Sequence, residues 1–261
     1  MKAYINVKSI TDPEYVNSHY IIMCTKNGVI KKTPLSEYSR PRTNGINAIN
    51  IREGDMLLEA KLTDGTNDIL IGVKGGKAVR FNETDARPIG RTGTGVRGIT
   101  VPEGDEVIGM VVANPDGSDG DILVVSENGY GKRSKLEDYR VTSRGGKGVK
   151  TINITDKTGD LIAIDKITDN DDLMIINKSG ITIRLKAENI KIASRLTQGV
   201  KLIELNTKKK DSIASIAVVP KSEEDEDENV EIPAENVEIP AENVSEPASE
   251  NNNQEDNTQE N

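Results

Sequence analysis

The chain has 261 residues, only 34% of them hydrophobic, with no tryptophan and Phe81 as its single phenylalanine, so its core must come from Val, Ile and Leu, which suits small packed strands. With one histidine (His19) and one cysteine (Cys24) no disulfide framework can form, and neither a His-based triad nor a zinc site is expected. The net charge of −9 hides an asymmetry: from Lys221 onward there are 15 acidic residues and one lysine, which leaves 33 basic and 28 acidic residues in the preceding body. No apolar run reaches membrane-spanning length and no signal-peptide pattern opens the chain, so the expectation is a cytoplasmic protein without membrane contact.

In chain order, residues 1–19 come first. "AYINV" at 3–7 reads as the last strand of an earlier unit, followed by a loop. Four similar segments follow, 20–67, 68–120, 121–171 and 172–220, each with the same order of features. An apolar run opens each one ("YIIMCT", "DILIGV", "DILVVS", "DLMIIN"), and a turn glycine follows (Gly28, Gly76, Gly129, Gly180). A second glycine (Gly45, Gly95, Gly148, Gly199) introduces a strand-like run ("GINAINI", "GVRGITV", "GVKTINI", "GVKLIEL"). After a turn ("EGD", "EGD", "TGD", "KKD"), a last apolar run closes the unit. The second glycines are spaced by 50, 53 and 51 residues. Four short β-branched runs per unit and no helical period predict an all-β fold of about four four-stranded, propeller-like blades.

Cations recur in register. Four residues after the turn glycine stand Lys32, Arg80, Arg133 and Arg184, with Lys31 and Lys132 beside two of them. Four residues before the second glycine stand Arg91, Arg144 and Arg195, and the first unit has Arg40 and Arg42 around that place. Two residues beyond the second glycine stand Arg97, Lys150 and Lys201, with Asn47 in the first unit. Repeat geometry projects such residues onto one edge, and a curved edge of Lys and Arg suits a phosphate backbone. The competing expectation is that each cation caps a turn or pairs with a carboxylate of its own blade. "TSRGGKGVKTI" (142–152) poses the same choice: Gly145 and Gly146, between Arg144 and Lys147, make either a phosphate cradle or a tight turn. Too few aromatics flank these cations for a single-strand stacking platform, and no helix is predicted that could enter a major groove. Duplex DNA, bound through its backbone and bent, is the expected ligand.

No catalytic constellation is visible. "GTGVRG" (93–98) matches G-x-G-x-x-G in letters but joins two strands, whereas a dinucleotide site needs a strand and a helix. No P-loop is present, and Asp55, Asp105 and Asp160 recur in turns, where turn chemistry outweighs metal binding. No cofactor and no metal are expected. The tail 221–261 carries "ENVEIPA", "ENVEIPA" and "ENVSEPA"; its prolines and acidity predict disorder. It reads either as a solvating tail or as an acidic competitor for the basic surface.

The stretches "NGVIKKTPLSEYSRPRTNGINAI", "RPIGRTGTGVRGI", "ENGYGKRSKLEDYRVTSRGGKGVKTI" and "GITIRLKAENIKIASRLTQGVKLIEL" resemble the C-terminal domain of DNA gyrase A over roughly residues 3–219. The resemblance implies a β-pinwheel whose neighbouring blades exchange strands and whose basic rim wraps duplex DNA. It implies, as partners, the catalytic region of gyrase A and gyrase B, with ATP-driven negative supercoiling performed by the whole assembly. Two departures stand out. The family's Q-[KR]-R-G-G-[KR]-G box has Thr142 and Ser143 in its first two places, and the family's disc has about six blades where four are legible. The chain therefore reads as a truncated or separately encoded piece. The equivalent domain of topoisomerase IV and a protein-binding propeller scaffold are the alternatives, and the scaffold would bind its partner insensitively to salt.

Overall fold

The computed structural model describes residues 3–205 and 211–221; the acidic tail, with its expected disorder, lies outside the described residues. The apolar runs become strands: β1 (Tyr20–Thr25), β2 (Val29–Pro34), β3 (Leu57–Thr63), β4 (Asp68–Val73), β5 (Lys77–Asn82), β6 (Val96–Arg97), β7 (Val107–Ala113) and β8 (Asp121–Ser126). Then come β9 (Tyr130–Ser134), β10 (Val149–Lys150), β11 (Leu161–Ile167), β12 (Asp171–Asn177), β13 (Thr182–Lys186), β14 (Val200–Lys201) and β15 (Ile213–Pro220). One short helix, α1 (Pro13–Ser18), precedes them. A 3-10 turn follows each second strand, at Leu35–Tyr38, Glu83–Asp85, Leu136–Asp138 and Ala187–Asn189. No helix among the described residues is long and apolar enough to cross a membrane.

The strands form four antiparallel sheets in the orders β3-β1-β2-β6, β10-β5-β4-β7, β11-β8-β9-β14 and β13-β12-β15. Strand β6 belongs by sequence to the second repeat but pairs with β2 of the first sheet, matching Val96 to Ile30 and Arg97 to Val29. Strands β10 and β14 do the same on β5 and β9. Each of the first three sheets is thus completed by a two-residue strand from the next repeat. The fourth sheet ends at β13, which pairs only with β12 among the described strands.

Alternation along a strand divides its side chains between two neighbouring sheets. Ile69, Ile71 and Val73 of β4 pack with Ile22, Cys24 and Ile30 of the first sheet. Leu70 points the other way and joins Ile122 and Val124 of the third. Leu123 and Val125 then face Leu173 and Ile175 of the fourth. All six residues of β4 and of β8 are buried, which is why these runs read as continuously apolar. The core is consequently a series of inter-sheet layers. Strands β3, β7, β11 and β15 pack successively on one another, which leaves β6, β10 and β14 on the opposite, outer edges.

Two sequence expectations need correction. Residues 3–7 form no strand; Ile5 and Val7 instead pack with Val16 of α1 on the outer face of the first sheet. "GINAINI" (45–51) also forms no strand. The corresponding strands β6, β10 and β14 exist only by pairing with the edge of the preceding sheet, and the described residues offer this segment no such edge.

The donated strands begin at glycines that must be glycines. Gly148 has φ +74°, and a Cβ there would lie 2.7 Å from the Ala78 carbonyl oxygen. Gly104 has φ +75° but open space around it. Gly104→Ala should therefore cost about 1 kcal/mol, from the left-handed backbone alone. Gly148→Ala should cost about 3 kcal/mol, because overpacking is added to that strain. Urea unfolding midpoints of the two variants check this, and equal midpoints would contradict the close approach.

Candidate nucleic-acid interface

The cations in register separate into buried and exposed rows. The buried row contains Lys32, Arg80 and Arg133. The Lys32 ammonium pairs with the Glu83 carboxylate at 2.7 Å and lies over the Tyr20 ring. The Arg80 guanidinium meets Asp68 at 2.7 Å and donates to the carbonyls of Pro115, Leu136 and Tyr139 at 2.7, 2.8 and 3.1 Å. Arg133 pairs with Asp121 and Asp169 and donates to the Ile190 carbonyl at 3.0 Å. Every member reaches from its own sheet to the 3-10 turn of the following repeat, or to the residues just after it. A buried charge persists only when paired and saturated with hydrogen bonds, and these three are occupied in that way. Arg184, in the same position of the fourth sheet, pairs with Asp172 at 2.5 Å and has 47% of its side chain exposed.

Lys31 and Lys132 are also buried. The Lys31 ammonium donates to the Ala48 and Arg91 carbonyls at 2.6 and 2.5 Å. That of Lys132 donates to Ser194 and Thr197 carbonyls at 2.6 and 3.0 Å. Burial, with Arg91 adding repulsion, pulls the Lys31 ammonium down to about 8. Burial, with Arg195 adding repulsion, does the same to Lys132. Lys31, Lys32, Arg80, Lys132 and Arg133, five of the cations expected at a DNA surface, are thus fasteners inside the array: Arg80 and Arg133 pair with carboxylates of their own repeat, Lys32 with one of the next, and Lys31 and Lys132 with carbonyls.

Arg91, Arg144 and Arg195 are half-buried clamps. Their guanidinium groups donate to the carbonyls of Asn47, Arg97 and Lys150 at 3.3, 3.0 and 2.9 Å, which binds each rim loop to the one before it. Gly145 turns its loop at φ +81°. Its N–H donates to the Gly98 carbonyl at 2.6 Å, while the Gly145 and Gly146 carbonyls accept from the Thr100 hydroxyl and N–H. The Gly145 N–H and the carbonyls of both glycines are thus engaged by a neighbouring loop, as a tight turn would have them. The turn carboxylates behave likewise, Asp55 and Asp105 accepting the N–H groups of Asn27 and Gly75.

The exposed row contains Arg40, Arg42, Arg97, Lys147, Lys150 and Lys201. Arg97, Lys150 and Lys201 sit on β6, β10 and β14, the outermost strands of three successive sheets. Among the exposed cations that sequence reasoning missed, Arg87, Arg140 and Lys191 recur at one position. With Arg40 they stand two residues past the end of each 3-10 turn. Counting from the glycines finds them as well, each 11 residues after Gly76, Gly129 or Gly180; Arg40 lies 12 after Gly28 because the first 3-10 turn is one residue longer.

A family model described as the DNA gyrase C-terminal domain, beta-propeller, matches four successive segments, residues 19–64, 67–114, 120–168 and 171–220. The chain belongs to the DNA gyrase C-terminal domain family. Among curated relatives, DNA gyrase A of Staphylococcus aureus strain NCTC 8325 / PS 47 is 45% identical over 208 residues, 80% of this chain and 23% of that protein. The gyrase A of strain MRSA252 is 45% identical over 213 residues, 82% of this chain and 23% of that protein. The chain thus spans less than a quarter of these relatives. A solved DNA gyrase A C-terminal domain superposes with a TM-score of 0.69 at 23% identity, covering 82% of this chain and 68% of that one. A DNA topoisomerase IV C-terminal domain gives 0.73 at 23% identity, covering 82% and 64%. At that identity the two likenesses establish the fold, and the 45% identity to DNA gyrase A carries the choice between the two topoisomerases.

Within this gyrase-family domain the two rows should respond differently to mutation. Arg80→Ala strands the Asp68 carboxylate and three carbonyls and should cost about 3–5 kcal/mol. Arg97→Ala, on an exposed edge, should stay within about 0.5 kcal/mol. Thermal unfolding of both variants tests the division. Stability should also rise with pH between about 8, where folded Lys31 and Lys132 lose their protons, and the ordinary 10.5 of the unfolded chain. In that window the unfolded state binds more protons, so its free energy rises faster with pH. A Lys31→Met, Lys132→Met double variant should flatten the rise, as denaturant titrations at stepped pH would show.

Proposed function

We propose that this domain binds duplex DNA without sequence preference and bends it along its outer edge, as the C-terminal part of a DNA gyrase A in the bacterial cytoplasm. The observation that carries this reading is the exposed row: Arg97, Lys150 and Lys201 occupy equivalent places on the outer strands of successive sheets, and Arg40, Arg87, Arg140 and Lys191 follow each 3-10 turn. Spaced cations of this kind neutralise phosphates along a path and release counterions, and they position DNA without reading its bases. Lys147 and Arg42 add charge beside the path. The half-buried arginines Arg91, Arg144 and Arg195 hold the loops that carry it.

In this reading the domain itself is not catalytic. It supports ATP-dependent negative supercoiling together with the catalytic region of gyrase A and with gyrase B, where cleavage and ATP hydrolysis belong. Titration of the chain with duplexes over a salt series tests the reading. The log–log slope should be steep and should fall by about 0.9 for each lost phosphate contact, so Arg97→Gln, Lys150→Gln and Lys201→Gln together should lower it by about 2.7. A slope that the triple variant leaves untouched would remove these residues from the interface, and salt-insensitive behaviour would favour a protein scaffold.

A further inference from the structure

The exposed row has a companion. Arg140 is followed directly by Val141 and Lys191 by Ile192, and these aliphatic side chains are 56% and 45% exposed. The two earlier repeats place an exposed proline there, Pro41 after Arg40 and Pro88 after Arg87. Single exposed aliphatic residues are commonplace. An apolar residue beside an exposed cation, at the same distance from the 3-10 turn in four successive repeats, is not scatter. Nothing in the inter-sheet layers needs it, since each residue faces away from them.

The backbone under these residues is pinned. The N–H groups of Ile89, Thr142 and Ala193, one residue further on, donate to the carbonyls of Lys32, Arg80 and Arg133, each at 2.8 Å. Val141 and Ile192 also form bridges to Arg80 and Arg133. The side chains are β-branched or cyclic, with few rotamers to lose. Each is therefore a small, stiff apolar point held beside a cation, and little ordering would be needed on contact.

We infer that these residues touch the deoxyribose walls of the DNA minor groove, while the preceding cation takes the adjacent phosphate. The inference rests on the DNA-binding reading above. A bent duplex turns its minor groove toward the protein once per helical turn, and short apolar side chains beside Arg or Lys suit that groove. Such contacts add affinity that does not depend on counterion release, and they favour a bent duplex over a straight one.

The experiment compares the full chain with a Val141→Ser, Ile192→Ser variant and an Arg140→Gln, Lys191→Gln variant over the same salt series, using a duplex labelled at both ends for energy transfer. The serine variant should give a line parallel to that of the unaltered chain, weaker about tenfold at every salt concentration, with less end-to-end approach of the duplex. The glutamine variant should give a shallower line, by about 1.8 in slope. Val141→Ile, which keeps the apolar surface, should restore full affinity, and unfolding midpoints should not move. If the serine line overlays that of the unaltered chain, or differs in slope, the apolar contact is wrong while the DNA-binding reading stands. If the unaltered chain itself binds no DNA, both fall.

Discussion

The array depends on one interaction: a buried cation in one sheet that reaches the 3-10 turn region of the next repeat. Arg80 is the fullest case, with one carboxylate and three carbonyls around its guanidinium. Apolar layers alone would let neighbouring sheets slide, because burial is non-directional. A guanidinium fixed to Leu136 and Tyr139 of the following repeat permits one register only, since any other leaves a buried charge unsatisfied. The donated strands act in the same sense, and they cross the same junction in the opposite chain direction. Each repeat after the first is thus held by its predecessor's cation and completes its predecessor's sheet.

That fastening also produces the outer surface. The carbonyls of Lys32, Arg80 and Arg133 accept the backbone of the rim loops, and Arg144 and Arg195 bind each loop to its neighbour. A loop so constrained displays Arg87, Arg140 or Lys191 at a fixed place. Buried and exposed cations are therefore two ends of one device: the first sets where the loop lies, and the second is what the loop shows to solvent. Mobile loops could carry the same charge, but they would give up part of the binding energy to ordering.

The sequence made the repeat, the all-β class and the turn positions legible, because alternation and glycine spacing are local signals. It did not reveal which cations were buried. Arg80 and Arg97 are both arginines at regular positions, and only the arrival of the next repeat at Arg80 distinguishes them. Lys31 beside Lys32 looked like surface charge, although both are enclosed by residues about 17 to 60 positions away. The segments 3–7 and 45–51 failed for a related reason. Their composition allows a strand, but pairing requires an edge, and an edge is a property of tertiary structure.

Arg184 shows how far this dependence goes. It occupies the place of Arg80 and Arg133 and keeps the same kind of partner in its own sheet, Asp172 in place of Asp68 and Asp121. Yet its side chain is 47% exposed, against 7% and 4% for the other two. Identical residue, identical sheet position and an equivalent carboxylate do not bury it. Among the described residues, what differs is the turn that follows Arg80 and Arg133 across the junction. Burial of the cation is conferred by the next repeat, and so is the outermost strand of each of the first three sheets. The structural unit of this fold is accordingly the junction between two repeats, and a single repeat specifies only half of it.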